Sequence, residues 1–208
     1  MQQQARRQVD AELRRRLHDH RRWVDSAGKE GRQLQAQGED LSGIDLSGAV
    51  LTEADLSEAN LDGVSLARAM LVSAELGRAS LRDADLTEAN LSKANLDDGR
   101  LNRASLRRAG ARQLSLAGAD LEGADLTGAD LRFSYLIGTN FEDAVLRDAM
   151  LLGAGIRDAC FQGADLQGIS GFEQLHVDSI RVVCDTAGRV LNGAEALDWL
   201  RQRSVGKA

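Results

Sequence analysis

Few residues in this chain have the type and spacing to do chemistry. His18 and His20 flank Asp19, but two positions on a helix turn through about 200°, so the two imidazoles face apart and cannot share a metal ion. Cys184 ends an apolar run, Ser179-Ile180-Arg181-Val182-Val183-Cys184, with no His or Asp arranged to make it a nucleophile. With Cys160 it makes two cysteines in 208 residues, too few for a disulfide framework; both read as free thiols in a reducing compartment. No metal-ligand spacing, nucleophile motif or phosphate loop occurs. No catalytic, cofactor or metal site is expected, and the chain does not read as an enzyme. The chemistry left is that of binding: abundant acids, one run of arginines, and a few large apolar residues at positions that should face water.

The elements that place these residues come from one stretch, 39–168. In fives it reads Ala54-Asp55-Leu56-Ser57-Glu58, Ala59-Asn60-Leu61-Asp62-Gly63, and later Ala124-Asp125-Leu126-Thr127-Gly128. Twenty-six such units run in unbroken register, with Leu third in 22 of them and Ala first in 19. The exceptions at the third position are Ala111, Phe141, Ile156 and Phe161. Five residues advance an α-helix by about 500°, so the leucines would drift around its axis. On a straight strand an odd step puts them on alternate faces. A chain that turns a corner once per unit keeps them all inside. A type II turn over positions three to five and the next first position needs φ > 0 at the fifth, where Gly stands in ten units. Corners that close into coils, and coils that stack, make an all-β solenoid.

The run resembles the pentapeptide-repeat family, whose signature is A(D/N)LXX, over about 130 of the 208 residues. That resemblance implies a right-handed quadrilateral β-helix with four units per coil. The 26 units then give about six and a half coils, and at about 4.8 Å per strand a rod roughly 30 Å long. With four units per coil, residue n lies beneath n+20. One interior ladder runs Leu101, Leu121, Phe141, Phe161, so the two phenylalanines should stack. Ala111 would leave a void that Leu114, in the next unit, fills. The outward ladders alternate in sign, so Glu58 should meet Arg78, Asp83 meet Arg103, and Arg100 meet Asp120.

Two features exceed this stacking pattern. Arg100, Arg103, Arg107, Arg108 and Arg112 form a girdle with no acid between Asp98 and Asp120; Arg107 and Arg112 have no acid in their own ladder. The girdle either binds an anion or acidic partner, or balances acids nearby. The second is an apolar patch of Phe133, Tyr135 and Ile137, with Met150 and Leu152 on the next coil. It either docks the C-terminal segment or forms a dimer or partner interface. Val50, Met70 and Val72 make a smaller patch, placed beneath the N-terminal helix. The outward acids Asp120, Asp125 and Asp130 complete the candidate partner-binding set.

Outside the repeat, residues 1–38 hold an amphipathic helix with Ala5, Val9, Leu13, Leu17, His20 and Val24 on one face, and Gly28 and Gly31 at its exit. It reads as a cap on the first coil or as a basic arm for a partner or nucleic acid. Residues 171–208 read as a hairpin, with strands in 179–184 and 189–191, then a helix over 194–203 capping the last coil. Residues 1–38 carry nine Lys+Arg against five acids, and residues 39–170 carry 12 against 22. No signal core or membrane-spanning run is present, so the expected location is cytoplasmic.

The functional expectation is a non-catalytic, protein-binding rod with an acidic surface, open to homodimer formation. Overall acidity argues against direct nucleic-acid binding. The resemblance implies a sharper alternative. Pentapeptide-repeat proteins that confer quinolone resistance or self-immunity to gyrase-poisoning toxins bind DNA gyrase or topoisomerase IV, as dimeric rods resembling B-DNA in width and charge. This sequence departs from them in its arginine girdle, its flanking segments and its uninterrupted repeat.

Overall fold

The structure, a computed structural model, describes residues 2–182 and 189–205. Its first element, α1 (Gln2–Asp25), leads through a turn into a long stretch with almost no conventional strand. Instead the chain bridges itself in parallel once per unit, each partner lying four units further on: Gln35 to Asp55, Asp40 to Asn60, and so on to Met150 and Ser170. The units therefore stack in four columns, and one unit from each column makes a layer.

The backbone hydrogen bonds show why five residues suffice. Three bonds per unit cross between layers, as when Leu41 N–H donates to Asn60 (2.8 Å), Gly43 N–H to Asp62 (2.8 Å) and Asn60 N–H to Glu39 (2.9 Å). A fourth closes the corner, as when Ala54 N–H donates to the Leu51 carbonyl at 3.0 Å. The corner needs a left-handed residue, and every fifth position from Gly43 to Gly168 has φ between 53° and 69° or, at Gly168, 75°. Sixteen of these are not glycine, and only Phe133 among them is a large apolar residue. The left-handed fifth position expected from the sequence thus holds in all 26 units, while the corner hydrogen bond is absent at Leu136–Thr139 and Ile156–Ala159.

One backbone N–H per unit, the fourth, has no backbone partner. The second side chain takes it. Asp45 Oδ1 accepts from Ser47 N–H at 3.0 Å, Asp85 from Thr87 at 3.0 Å and Asn90 from Ser92 at 3.1 Å. All twelve Asp or Asn residues at the second position make this bond. In two of the units that lack Asp or Asn there, those of Ser80 and Ser115, a carboxylate of the neighbouring layer substitutes: Asp62 accepts from Arg82 N–H and Asp97 from Ala117 N–H, each at 2.9 Å. The Asp/Asn preference of the repeat thus follows from the need to satisfy backbone donors.

The interior is a single cluster of leucine and alanine. Leu56 through Leu106 at the third position are all 0% exposed. Phe141 and Phe161 stack as the ladder predicts, with centroids 5.2 Å apart and planes 13° apart. Ala111 and Leu114 are both buried, small and large residues having exchanged places in that layer. The same exchange occurs at Leu34 and Ala36, both buried, so bridging begins one unit before the leucine phase becomes visible.

α1 lies against the first layer. Leu13 is buried and Leu17 packs on the core. The Arg16 guanidinium donates to both oxygens of Glu39, at 2.8 and 2.9 Å. His20 is 0% exposed, its Nδ1 accepting from Leu34 N–H at 2.9 Å and its ring stacked on Trp23. Gly31 permits the close approach: a Cβ there would sit 2.0 Å from the Asp19 carbonyl oxygen.

At the far end stacking outlasts the five-residue phase. A 3-10 turn at Phe172–Gln174 adds one residue to the step between layers, so that Gly155 pairs with His176 and Ala159 with Ile180. β1 (Tyr135–Ile137), β2 (Gly155–Arg157), β3 (Ala159–Cys160), β4 (His176–Val177), β5 (Ser179–Arg181) and β6 (Val190–Asn192) form two sheets, ordered β1-β2-β4 and β3-β5-β6. β5 and β6 pair antiparallel, and α2 (Gly193–Ser204) follows. The turn expected between β5 and β6, 185–188, lies outside the described residues. The free-thiol expectation fails at Cys160, which is buried and disulfide-bonded. Cys184 lies outside the described residues, and cysteine usage no longer argues for a reducing compartment.

Candidate partner-binding surface

The apolar patch sits where the repeat departs most from its own rule. In β1 the alternation of a strand puts Leu136 in the core and Tyr135 and Ile137 outside. Tyr135 is bridged by Ser115 on one side and Gly155 on the other, two residues too small to shield its ring, and it is 56% exposed. Ile137 is 40% exposed and Phe133, at the preceding corner, 38%. Met150 and Leu152 on the next layer are half-buried. The described C-terminal residues leave Phe133, Tyr135 and Ile137 open, so docking of that segment does not account for the patch. The layer is held by two buried hydroxyls that replace alanine: Ser134 Oγ donates to the Ala111 carbonyl at 2.7 Å, and Thr139 Oγ1 to Leu116 at 2.8 Å.

The arginine girdle is mostly neutralised. Arg103 forms a two-point bond to Asp83, at 2.7 and 2.8 Å, as its ladder predicts. Arg108 approaches Glu88 at 3.7 Å. Arg107, expected to lack an acid, pairs with Asp125 at 2.7 Å. Its fourth-position side chain reaches diagonally to the second position of the unit stacked on its own, which a reading of vertical ladders overlooks; Arg147 and Asp165 repeat the geometry at 2.6 Å. The expected Arg100–Asp120 pair is not formed, because Asp120 is taken by Glu122 N–H, Asn102 and Asn140. Arg112 forms no ion pair among the described residues; its guanidinium lies over the Phe133 ring, 6.0 Å from the centroid.

The three candidate acids serve the backbone first. Asp125 accepts from Thr127 N–H and hydroxyl as well as from Arg107. Asp130 has both oxygens engaged by Arg132. Partial burial alone would raise both carboxyls; Thr127 and Arg107 outweigh it at Asp125, and Arg132 at Asp130, leaving each below the ordinary value.

The model of pentapeptide repeats matches this chain in eight copies, over residues 40–68, 69–108, 104–143 and 129–168. The chain belongs to the pentapeptide-repeat family. No match exists among curated proteins. Full-length QnrB1, a plasmid-mediated fluoroquinolone resistance protein, is 19% identical, with 66% of this chain and 79% of that chain covered and a TM-score of 0.51, a likeness that shows the fold. HetL, a pentapeptide repeat protein involved in heterocyst differentiation regulation from the cyanobacterium Nostoc sp. strain PCC 7120, is 25% identical over 76% of this chain and 93% of that one, with a TM-score of 0.25. A pentapeptide repeat protein of the Arabidopsis thaliana thylakoid lumen is 22% identical over 65% and 70%, also at 0.25.

In this pentapeptide-repeat protein no group of His, Cys, Asp and Glu among the described residues could hold a metal ion. No described helix is long and apolar enough to cross a membrane. Of the smaller patch, Met70 stays 46% exposed, while Val50 shares a depression with Leu17, His18 and Arg21 of α1. Sequence reasoning missed the isolation of Lys93, which lines a depression of about 370 Å³ with Ser92, Arg112, Gln113 and Phe133. Its place in one ladder with Gln113 and Phe133 was the available clue.

Proposed function

We propose that this pentapeptide-repeat protein is a non-catalytic, protein-binding rod. In this reading it is a right-handed, four-sided β-helix of about six and a half coils, closed by α1 at one end and by β5, β6 and α2 at the other. One observation carries the binding role. Three large apolar side chains, Phe133, Tyr135 and Ile137, stand 38–56% exposed on one layer of a chain whose other large apolar residues are mostly interior. Contiguous exposed apolar surface marks contacts. Phe133 adds weight, because a bulky residue at φ 62° costs about 1–2 kcal/mol and yet its ring faces water.

The test is capture of partners from the native cell by the full chain and by a Tyr135→Ser/Ile137→Ser variant, with circular dichroism to show that both fold. A partner held by the parent and lost by the variant is expected. Equal recovery by both chains would remove the patch from the function.

The second reading is protection of DNA gyrase or topoisomerase IV by mimicry of DNA. It is favoured by the excess of acids over bases in three of the four columns, which suits competition for a basic DNA-binding saddle. A supercoiling assay with purified gyrase and a fluoroquinolone tests it, and absence of protection at micromolar protein ends it.

A further inference from the structure

One of the four columns differs from the other three. It comprises residues 49–53 and the units stacked on them, joined by the bridges Val50–Met70, Met70–Asn90, Asn90–Gly110, Gly110–Asp130 and Asp130–Met150. Its charged residues are Glu53 and Asp130 against Lys93, Arg112 and Arg132, so it alone is net basic. It also gathers six of the nine large outward apolar residues of the repeat, Val50, Met70 and Val72 toward one end and Phe133, Met150 and Leu152 toward the other; Tyr135, Ile137 and Val145 stand in other columns. The middle holds two cations with no ion pair among the described residues, Lys93 and Arg112. Asp130 lies within electrostatic reach of Arg112, but Arg132 already occupies both its oxygens. In the other columns most arginines are matched to acids, as in Arg78–Glu58, Arg103–Asp83 and Arg157–Asp178, with Arg68 and Arg100 the exceptions among the described residues.

We propose that this column is the docking face for an acidic segment of a partner protein, with carboxylates meeting Lys93 and Arg112 and apolar side chains meeting Met70 and Val72 at one end and Phe133 and Leu152 at the other. The inference rests on the protein-binding reading above and names the partner's chemistry. Val72 and Leu152 are four layers apart, about 19 Å, the length of roughly 13 helical or six extended residues. Charge complementarity decides the occupant. The flanking columns are net acidic and carry Asp97 and Asp98 beside Lys93. A narrow segment whose acids sit on the central line escapes them, whereas a nucleic acid, charged along its whole length, meets repulsion on both sides and leaves the apolar ends unmatched.

The probes are labelled synthetic peptides just long enough to span the face as a helix: one with a glutamate-rich centre and leucine near each end, one with lysine replacing glutamate, one with alanine replacing leucine, and a single-stranded oligonucleotide of equal length. Fluorescence anisotropy with the full chain should show binding of the glutamate–leucine peptide above the others. Lys93→Glu/Arg112→Glu should weaken it by about tenfold, as two partly screened pairs allow. Lys93→Gln/Arg112→Gln should weaken it less, and circular dichroism checks both folds. Equal binding of the lysine peptide, preference for the oligonucleotide, no binding of any probe, or indifference to both variants would overturn the proposal. If the charge-reversed chain still captures a partner that Tyr135→Ser/Ile137→Ser loses, this inference fails while the protein-binding reading stands.

Discussion

Removing the second-position side chains should destabilise the rod through its backbone. Asp45, Asp85 and Asn90 each accept one N–H, from Ser47, Thr87 and Ser92. No backbone carbonyl takes those donors. Alanine at each position leaves the N–H to water, at an exposed residue for Ser47 and at half-buried ones for Thr87 and Ser92. A net hydrogen bond of this kind contributes about 1 kcal/mol. The three bonds share no donor or acceptor, so their losses should roughly add, and the triple alanine variant should lose about 3 kcal/mol. In a chain of this size that lowers Tm by roughly 6–12 °C. Asp45→Asn/Asp85→Asn retains an acceptor oxygen and should cost less than about 0.5 kcal/mol. Urea and thermal unfolding followed by circular dichroism measure both. An alanine triple as stable as the parent, or an asparagine pair as damaged as the alanine one, would refute the argument that these residues are present as backbone acceptors.

Burial holds the His20 imidazole below its ordinary pKa, against opposing pulls from the Thr52 carbonyl and Glu53. The unfolded chain therefore takes up the proton first. Stability is complete above about pH 6.5 and falls as the pH drops below it, by no more than about 1.4 kcal/mol per pH unit. His20→Asn, which can still accept from Leu34 N–H, should flatten that slope between pH 5.5 and 7, before carboxylates titrate; an unchanged slope would exclude His20 as its source. Leu101→Ala, at a site 0% exposed, should cost about 2–5 kcal/mol in urea unfolding, and a loss under about 1 kcal/mol would contradict an interior position. Phe133→Asn relieves a left-handed aromatic and loses one cation–π contact and part of a ring's burial, so stability should stay within about 1 kcal/mol while partner capture falls. A collapse of stability would show that the ring belongs to the core.

The period of five was enough to derive the corner, the interior and the left-handed fifth position, because all three are local: one turn type, one small residue and one leucine repeat until the chain meets itself four units on. Phe141 over Phe161 and Asp83 beside Arg103 followed once the resemblance to the pentapeptide-repeat family had supplied four units per coil. The Asp/Asn preference was visible but unexplained, since only the full hydrogen-bond pattern reveals that the fourth N–H is the donor left over. Arg107 on Asp125, and Asp120 turned away from Arg100, depended on side chains reaching diagonally between layers, where several partners compete within a few ångströms. Exposure was likewise a tertiary matter. Tyr135 is open because Ser115 and Gly155, distant in the chain, flank it in space, and Arg112 stands without an ion pair among the described residues because Asp130, within its electrostatic reach, turns to Arg132 instead.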